Sequence, residues 1–271
     1  MKNNYSKHIF LFVLLSIVIV LSLITNNIVY GFRENINYKI SIVVPCIPRD
    51  VKHLDRLLNS IKNQTYKPHE IIIAMSGQSD KESEKLKQNL IKKYELPIKF
   101  SNVENKQGAS ANRNRGAKSC SGDLITFIDA DDVMYPDKLL YVNNIYNKYQ
   151  PKLFLHGFSL GYKKFYSPDM FYSTMFGTQL YDIAKNTEKH NKHSGILRGI
   201  THGHPTVSRD VMKKINFNEQ LKVGEDTTFV REVINHYGRK ENTAIFISIP
   251  LSQYIPSVYQ KQVENVQNPK K

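Results

Sequence analysis

The chain has 271 residues and a formal net charge of +14, from 38 Lys and Arg against 24 Asp and Glu. That length holds an N-terminal appendage plus one domain with a sizeable core. The basic residues are scattered, with no run of five or more, which argues against a nucleic-acid binder and describes a solvated basic surface able to attract anionic nucleotides. Two cysteines, Cys46 and Cys120, do not make a disulfide framework, and each reads as a small hydrophobe at the end of a buried element.

No charged residue occurs from Ile9 to Phe32. About 20 apolar residues cross a bilayer as a helix, so 9–30 reads as a signal-anchor transmembrane helix. Lys2, Lys7 and His8 precede it and place residues 1–8 on the cytoplasmic side. The expected topology is single-pass type II, with the catalytic domain lumenal or on the outer side. The rival is a cleaved signal peptide, with an unusually long apolar region and Val29-x-Gly31 as a poor cleavage site. Asn63-Gln64-Thr65 is a glycosylation triplet.

Residues 31–38 read as a polar stem. The β-branched run 39–45 predicts a buried strand, and Leu54, Leu57, Leu58 and Ile61 follow at helical spacing. Strands are expected at 70–74, 97–102 and 123–129, with helices at 82–94 and 110–119 between them. This β-α-β alternation predicts an α/β fold with a mostly parallel sheet flanked by helices, in which ligands bind beyond the carboxyl ends of the strands. The second half is less regular. It predicts strands at 152–160 and 244–250, a helix plus loop at 181–198, helices at 208–215 and 225–237, and a loose polar tail at 259–271.

One strand runs into Phe127-Ile128-Asp129-Ala130-Asp131-Asp132. Three carboxylates within four positions repel one another, and a divalent cation holding a phosphate-bearing ligand relieves this, since Mg²⁺ and Mn²⁺ take hard oxygen ligands. An acidic turn capping the helix that starts near Pro136 is the plainer reading of the same residues. Glu225-Asp226 opens a helix whose Phe229, Val230, Val233 and Ile234 face the core. Helix capping by the dipole is its plainer reading.

The pieces K-I-S-I-V-V-P at 39–45, H-E-I-I-I at 69–73, Q-G-A-S-A-N-R-N-R-G-A at 107–117, G-D-L-I-T-F-I-D-A-D-D at 122–132, N-F-N-E at 216–219 and G-E-D-T at 224–227 occur in that order. Together they resemble the GT-A (Rossmann-like) glycosyltransferases, especially the large inverting family 2, over about residues 40 to 250. The resemblance implies a single GT-A domain after the anchor, with a nucleotide-sugar-binding half at 39–135 and an acceptor-binding half at 136–258. It implies transfer of a sugar from a nucleotide-diphosphate sugar, a UDP-sugar in many members, to a hydroxyl of a glycan, protein or lipid acceptor, with inversion and with Mn²⁺ or Mg²⁺ as cofactor.

The resemblance carries roles onto particular residues. Asp129 contacts ribose or metal and Asp131 holds the metal. Asp132 points away or orients its neighbours. Arg113 lies near the base and diphosphate, where a guanidinium suits phosphate, and Arg115 is the lesser candidate. Pro45 and Ser76 fall in nucleotide-binding positions. Asp226 is the general base on the acceptor hydroxyl, with Glu225 as the alternative or as a ligand-holding neighbour. His204 and Tyr162 are acceptor candidates, the latter within an aromatic stretch from Phe154 to Tyr181. His202-Gly203-His204 is a weak zinc signal.

Some positions depart from the family pattern. Met75 and Ser76 stand where members carry two Asp, one reading the uracil, Asn112 stands for an Ala, and 252–256 lacks the His that often completes the metal site. These departures keep open a catalytically silent nucleotide-sugar or glycan binder. A nucleotidyltransferase fits less well, because 46–50 after the first strand has no Gly.

Overall fold

The computed structural model describes residues 35–160, 163–166, 174–189, 197 and 200–255. β1 (Ile40–Cys46), β2 (Glu70–Ser76), β3 (Ile98–Val103) and β4 (Leu124–Phe127) form one side of a sheet. The helices α1 (Leu54–Lys62), α2 (Asp80–Tyr94) and α3 (Ala109–Lys118) connect them. A 3₁₀ turn at Pro48–His53 leads into α1. β5 (Val133–Met134) and α4 (Lys138–Tyr149) follow the acidic turn. Then come β6 (Leu153–Leu160), β7 (Lys163–Tyr166), β8 (Thr174–Phe176) and α5 (Gly177–Lys189). β9 (Thr206–Ser208), α6 (Arg209–Met212), α7 (Glu225–Tyr237) and β10 (Ala244–Tyr254) complete the described elements.

The sheet order is β3-β2-β1-β4-β9-β6-β10-β5, with β7 on β6 and β8 on β10. β1, β2, β3 and β4 pair in parallel, as the alternation of strands and helices predicts. Beyond β4 the prediction of a mostly parallel sheet fails. β9 enters antiparallel between β4 and β6, and β5, β7 and β8 also pair antiparallel, while β6 and β10 pair in parallel. A strand of three residues carries too little pattern to be read from sequence, and β9 is such a strand.

β1 shows how this sheet is buried on both faces. Ile40, Ile42 and Val44 face a core with Leu54, Leu57, Leu58 and Ile61 of α1, whereas Val43 faces the other core with Phe127, Phe217 and α7. α3 crosses β1 so closely that a Cβ on Gly116 would lie 2.6 Å from Val43 Cγ1. Cys46 and Cys120 are free thiols, as expected.

Among the element ends that differ from the sequence reading, three lie in β4, the turn after β9 and β10. β4 stops at Phe127 rather than 129, which frees Asp129 from the ladder. The helix expected over 208–215 is a single turn at Arg209–Met212, and β10 runs on to Tyr254. Among the described residues no helix is long and apolar enough to cross a membrane. The predicted anchor at 9–30 and tail at 259–271 lie outside the described residues.

The strand ends opposite the acidic turn are tied by Glu70, which is 1 % exposed. Its carboxylate accepts from Ser41 Oγ (2.7 Å), Ser121 N (2.6 Å), Ser121 Oγ (2.9 Å) and Lys99 Nζ (2.7 Å). Burial opposes the charge, but Lys99 and the other donors outweigh it and hold the carboxyl down to about 2. The lowered value means Glu70 stabilises the fold above its unfolded pKa, near 4.5, and that this contribution fades as pH falls toward 2. Glu70→Gln is expected to cost about 1–3 kcal/mol at pH 7, measured by urea denaturation, and less at pH 3.

Candidate active site

Three consecutive side chains of α3 organise the ligand edge. Successive helical residues point about 100° apart, so Arg113, Asn114 and Arg115 reach three different partners. Arg113 Nη2 donates to Asp129 Oδ1 at 2.7 Å and Nη1 to Glu225 Oε1 at 3.0 Å. Its guanidinium lies over the Phe217 ring, 5.4 Å from the centroid. Asn114 Nδ2 donates to the Phe217 carbonyl and to Glu219 Oε1, both at 2.9 Å, while its Oδ1 accepts from Phe217 N. Arg115 donates to the carbonyls of Met75 (2.7 Å) and Ser101 (3.2 Å), closing the ends of β2 and β3. It therefore holds strand ends.

Arg113 is buried yet fully charged. Burial opposes its charge, and Asp129 and Glu225 overcome that and raise its pKa. This clamp joins the end of β4 to the start of α7, so Asp129, Glu225 and Asp226, 97 residues apart at the extremes in sequence, meet at one edge. Gly203 packs against the clamp. A Cβ there would lie 2.7 Å from Asp129 Oδ2 and 2.8 Å from Arg113 Nη2.

Asp132 is fully buried and turns inward. Its Oδ1 accepts from Ile255 N at 2.7 Å, and its Oδ2 lies 2.7 Å from His204 Nε2. His204 Nδ1 lies 2.7 Å from Ser252 Oγ. Burial pushes the Asp132 carboxyl up and the His204 imidazole down to about 3. The 2.7 Å contact thus joins two groups whose charged forms burial disfavours. The network locks the acidic turn to β10. Of the two readings for Asp132, it orients its neighbours.

Asp129, Asp132 and His204 bring one ligand atom each to within 4.8 Å of the others. This group differs from the predicted Asp129 and Asp131 pair. Asp132 and His204 already bind each other, Ile255 and Ser252, so they form a closed support rather than an open ligand set. Asp129, about a quarter exposed, and half-buried Asp131 lie at the accessible side of the turn. Burial, then Asp132, then Asp129 push the Asp131 carboxyl up to about 7. Such crowding of hard oxygens fits a divalent cation.

Asp226 Oδ1 accepts from Thr227 N at 2.6 Å, and Thr227 Oγ1 lies 2.7 Å from Thr201 Oγ1. Burial raises the Asp226 pKa. Pro45 and Ser76, expected to contact nucleotide, are both buried. Pro45 is buried within β1, paired with Ala74. Ser76 Oγ is buried and accepts from Asn112 Nδ2 (3.0 Å) and Gln107 N (3.1 Å), so it supports the loop before α3 instead of facing a base. His204 is likewise buried beneath the site and does not face an acceptor. His202 is also buried, donates from Nε2 to the His156 carbonyl at 2.8 Å, and stands outside the metal-type group. Tyr162 lies outside the described residues.

Sequence reasoning missed Lys138 and Ser252, and marked Glu219 only through the N-F-N-E motif. Of the two missed, Lys138 carried a signal: a lysine in the first turn of a helix opposes the dipole and calls for a compensating anion.

A parallel βα half with a carboxylate turn at its carboxyl edge, clamped to a second acidic pair, is the arrangement of a GT-A-type fold. The chain belongs to Glycosyl transferase family 2, whose model matches residues 41–204. The Glu225-Asp226 pair lies beyond that match. Over 94 residues the chain is 38% identical to a GalNAc(5)-diNAcBac-PP-undecaprenol beta-1,3-glucosyltransferase of Campylobacter jejuni, covering 35% of this chain and 30% of that protein. Over 206 residues it is 26% identical to the minor teichoic acid biosynthesis protein GgaB of Bacillus subtilis, covering 75% of this chain and 22% of that protein. The chain thus matches less than a third of the length of these relatives. The fold is similar to that of S. aureus TarS 1-349 in complex with UDP, with a TM-score of 0.60 and 19% identity over 82% of this chain and 62% of that one.

Removing the guanidinium would leave Asp129 and Glu225 without their shared counter-charge. Arg113→Met is expected to destabilise the fold by about 3 kcal/mol or more, read by chemical denaturation. Arg115→Met, which removes hydrogen bonds to neutral oxygens and no ion pair, is expected to cost less.

Proposed function

We propose that this chain transfers a sugar from a nucleotide-diphosphate sugar to an acceptor hydroxyl, in a divalent-metal-dependent, inverting reaction with UDP as the donor nucleotide. The observation that carries the reading is the Arg113 clamp, which brings the D-x-D turn and the Glu225-Asp226 pair to one ligand edge. The TarS structures in complex with UDP and with UDP-GlcNAc support the donor class.

Asp129 and Asp131 would hold the cation, buttressed from beneath by Asp132 and His204. A divalent ion bound there supplies Lewis-acid stabilisation to the diphosphate leaving group. Arg113 keeps Asp129 in place and offsets its charge. Asp226 takes the proton from the acceptor hydroxyl as its oxygen attacks the anomeric carbon. Its raised pKa strengthens it as a base near neutral pH. In-line attack places base and leaving group on opposite sides of the sugar, which is the basis for inversion. Residues 9–30 would anchor the domain at a membrane, with the catalytic face lumenal or outside.

Turnover of a UDP-sugar panel with Mn²⁺ tests the reading and names the donor. Asp131→Ala and Asp226→Asn are each expected to lose about 10²-fold or more in rate. EDTA should abolish turnover and Mn²⁺ restore it. The rate should rise with pH through the Asp226 pKa, because the base works only when deprotonated, so the acid limb lies above the ordinary Asp value of 3.8. Absence of turnover with every donor, alongside measurable UDP-sugar binding, would favour the catalytically silent binder.

A further inference from the structure

Lys138 is the first residue of α4 and has no solvent exposure. Its Nζ donates to the His204 carbonyl at 3.5 Å, a long contact for an ammonium. A buried ammonium is costly unless anions compensate it. Burial lowers its pKa to about 7, while Asp132 and then Asp129 act in the opposite direction. Burial, and after it the positive charge of Lys138, lower the pKa of both His156 and His204.

The acidic turn is therefore served by two buried cations with different duties. Arg113 is held by two short ion pairs, to Asp129 and Glu225, and bridges separate elements. Lys138 approaches from beneath, through the His204 carbonyl, on the side where Asp132 is locked to His204 and Ile255. Carboxylates as crowded as Asp129, Asp131 and Asp132 repel one another, and a cation beneath them reduces that repulsion without occupying the open side. The same charge repels any divalent ion that arrives at that side.

We propose that Lys138 is a built-in counter-charge that keeps the acidic turn formed without metal and weakens its hold on a divalent cation. This rests on the metal-dependent reading above. A moderated affinity suits a site that must let go of a metal-bound diphosphate after each transfer. Lys138 is a positioning residue, since it acts through the carboxylates and touches neither substrate nor reacting atoms.

The test is Mn²⁺ titration of the full chain by electron paramagnetic resonance, with thermal unfolding in parallel, for wild type, Lys138→Met and Lys138→Gln. The Gln amide can still donate to the His204 carbonyl, which provides a neutral variant with a polar partner in place. Both variants are expected to unfold at lower temperature without metal, to bind Mn²⁺ about tenfold tighter, and to gain more thermal stability from saturating Mn²⁺ than wild type does. A lysine with a packing role alone would show weaker or unchanged Mn²⁺ binding in the folded variants, and that result overturns the proposal. Wild type that binds no Mn²⁺ overturns the metal reading, and this inference with it.

Discussion

The ligand edge depends on one interaction, the buried fork of Arg113 between Asp129 and Glu225. Two carboxylates from distant parts of the chain could not share a half-buried space without a cation between them. A guanidinium suits the task because its donors are planar and forked and its charge persists when buried. Phe217 supports it from one face, and Phe217 is itself stacked on Phe229 of α7 with ring centroids 4.0 Å apart. The clamp thus couples the aromatic core to the chemistry. Asn114 ties the segment before α7 to the same helix, so α3 positions both the acidic turn and the start of α7.

Beneath the clamp lies a second polar layer of Asp132, His204, Ser252 and Lys138, all fully buried. Its hydrogen bonds join the acidic turn, the β9 entry and β10, three segments that share no local sequence. A partly satisfied layer would cost more than an apolar one, so its near-complete pairing is what makes it tolerable. It also explains why the acidic turn carries three carboxylates. Two lie at the accessible side, and the third anchors the turn to the scaffold.

The first half of the fold was legible because its signals are local. Buried β-branched runs, helical leucine spacing and strand ends read directly as β-α-β units, and the parallel register of β1, β2, β3 and β4 follows. The acidic turn and Arg113 were legible as candidates for the same reason. The burial of Ser76 and His204 was not legible, because sequence position near a site does not say which way a side chain points. Both lie under the surface they were expected to line, each consumed by neighbours. The antiparallel entry of β9 was not legible, since three residues between a loop and a helical turn carry no periodicity.

The amino-acid sequence by itself determined the α/β class, the succession of strands and helices in the first half and the family, because each is written in short contiguous patterns. Tertiary structure alone decided which carboxylates support and which face the open edge. It also decided that Arg113 couples two acidic pairs while Arg115 holds strand ends. Those assignments depend on direction and burial. One residue's step around a helix, or one turn's rotation after β4, changes a ligand-facing group into a buried strut.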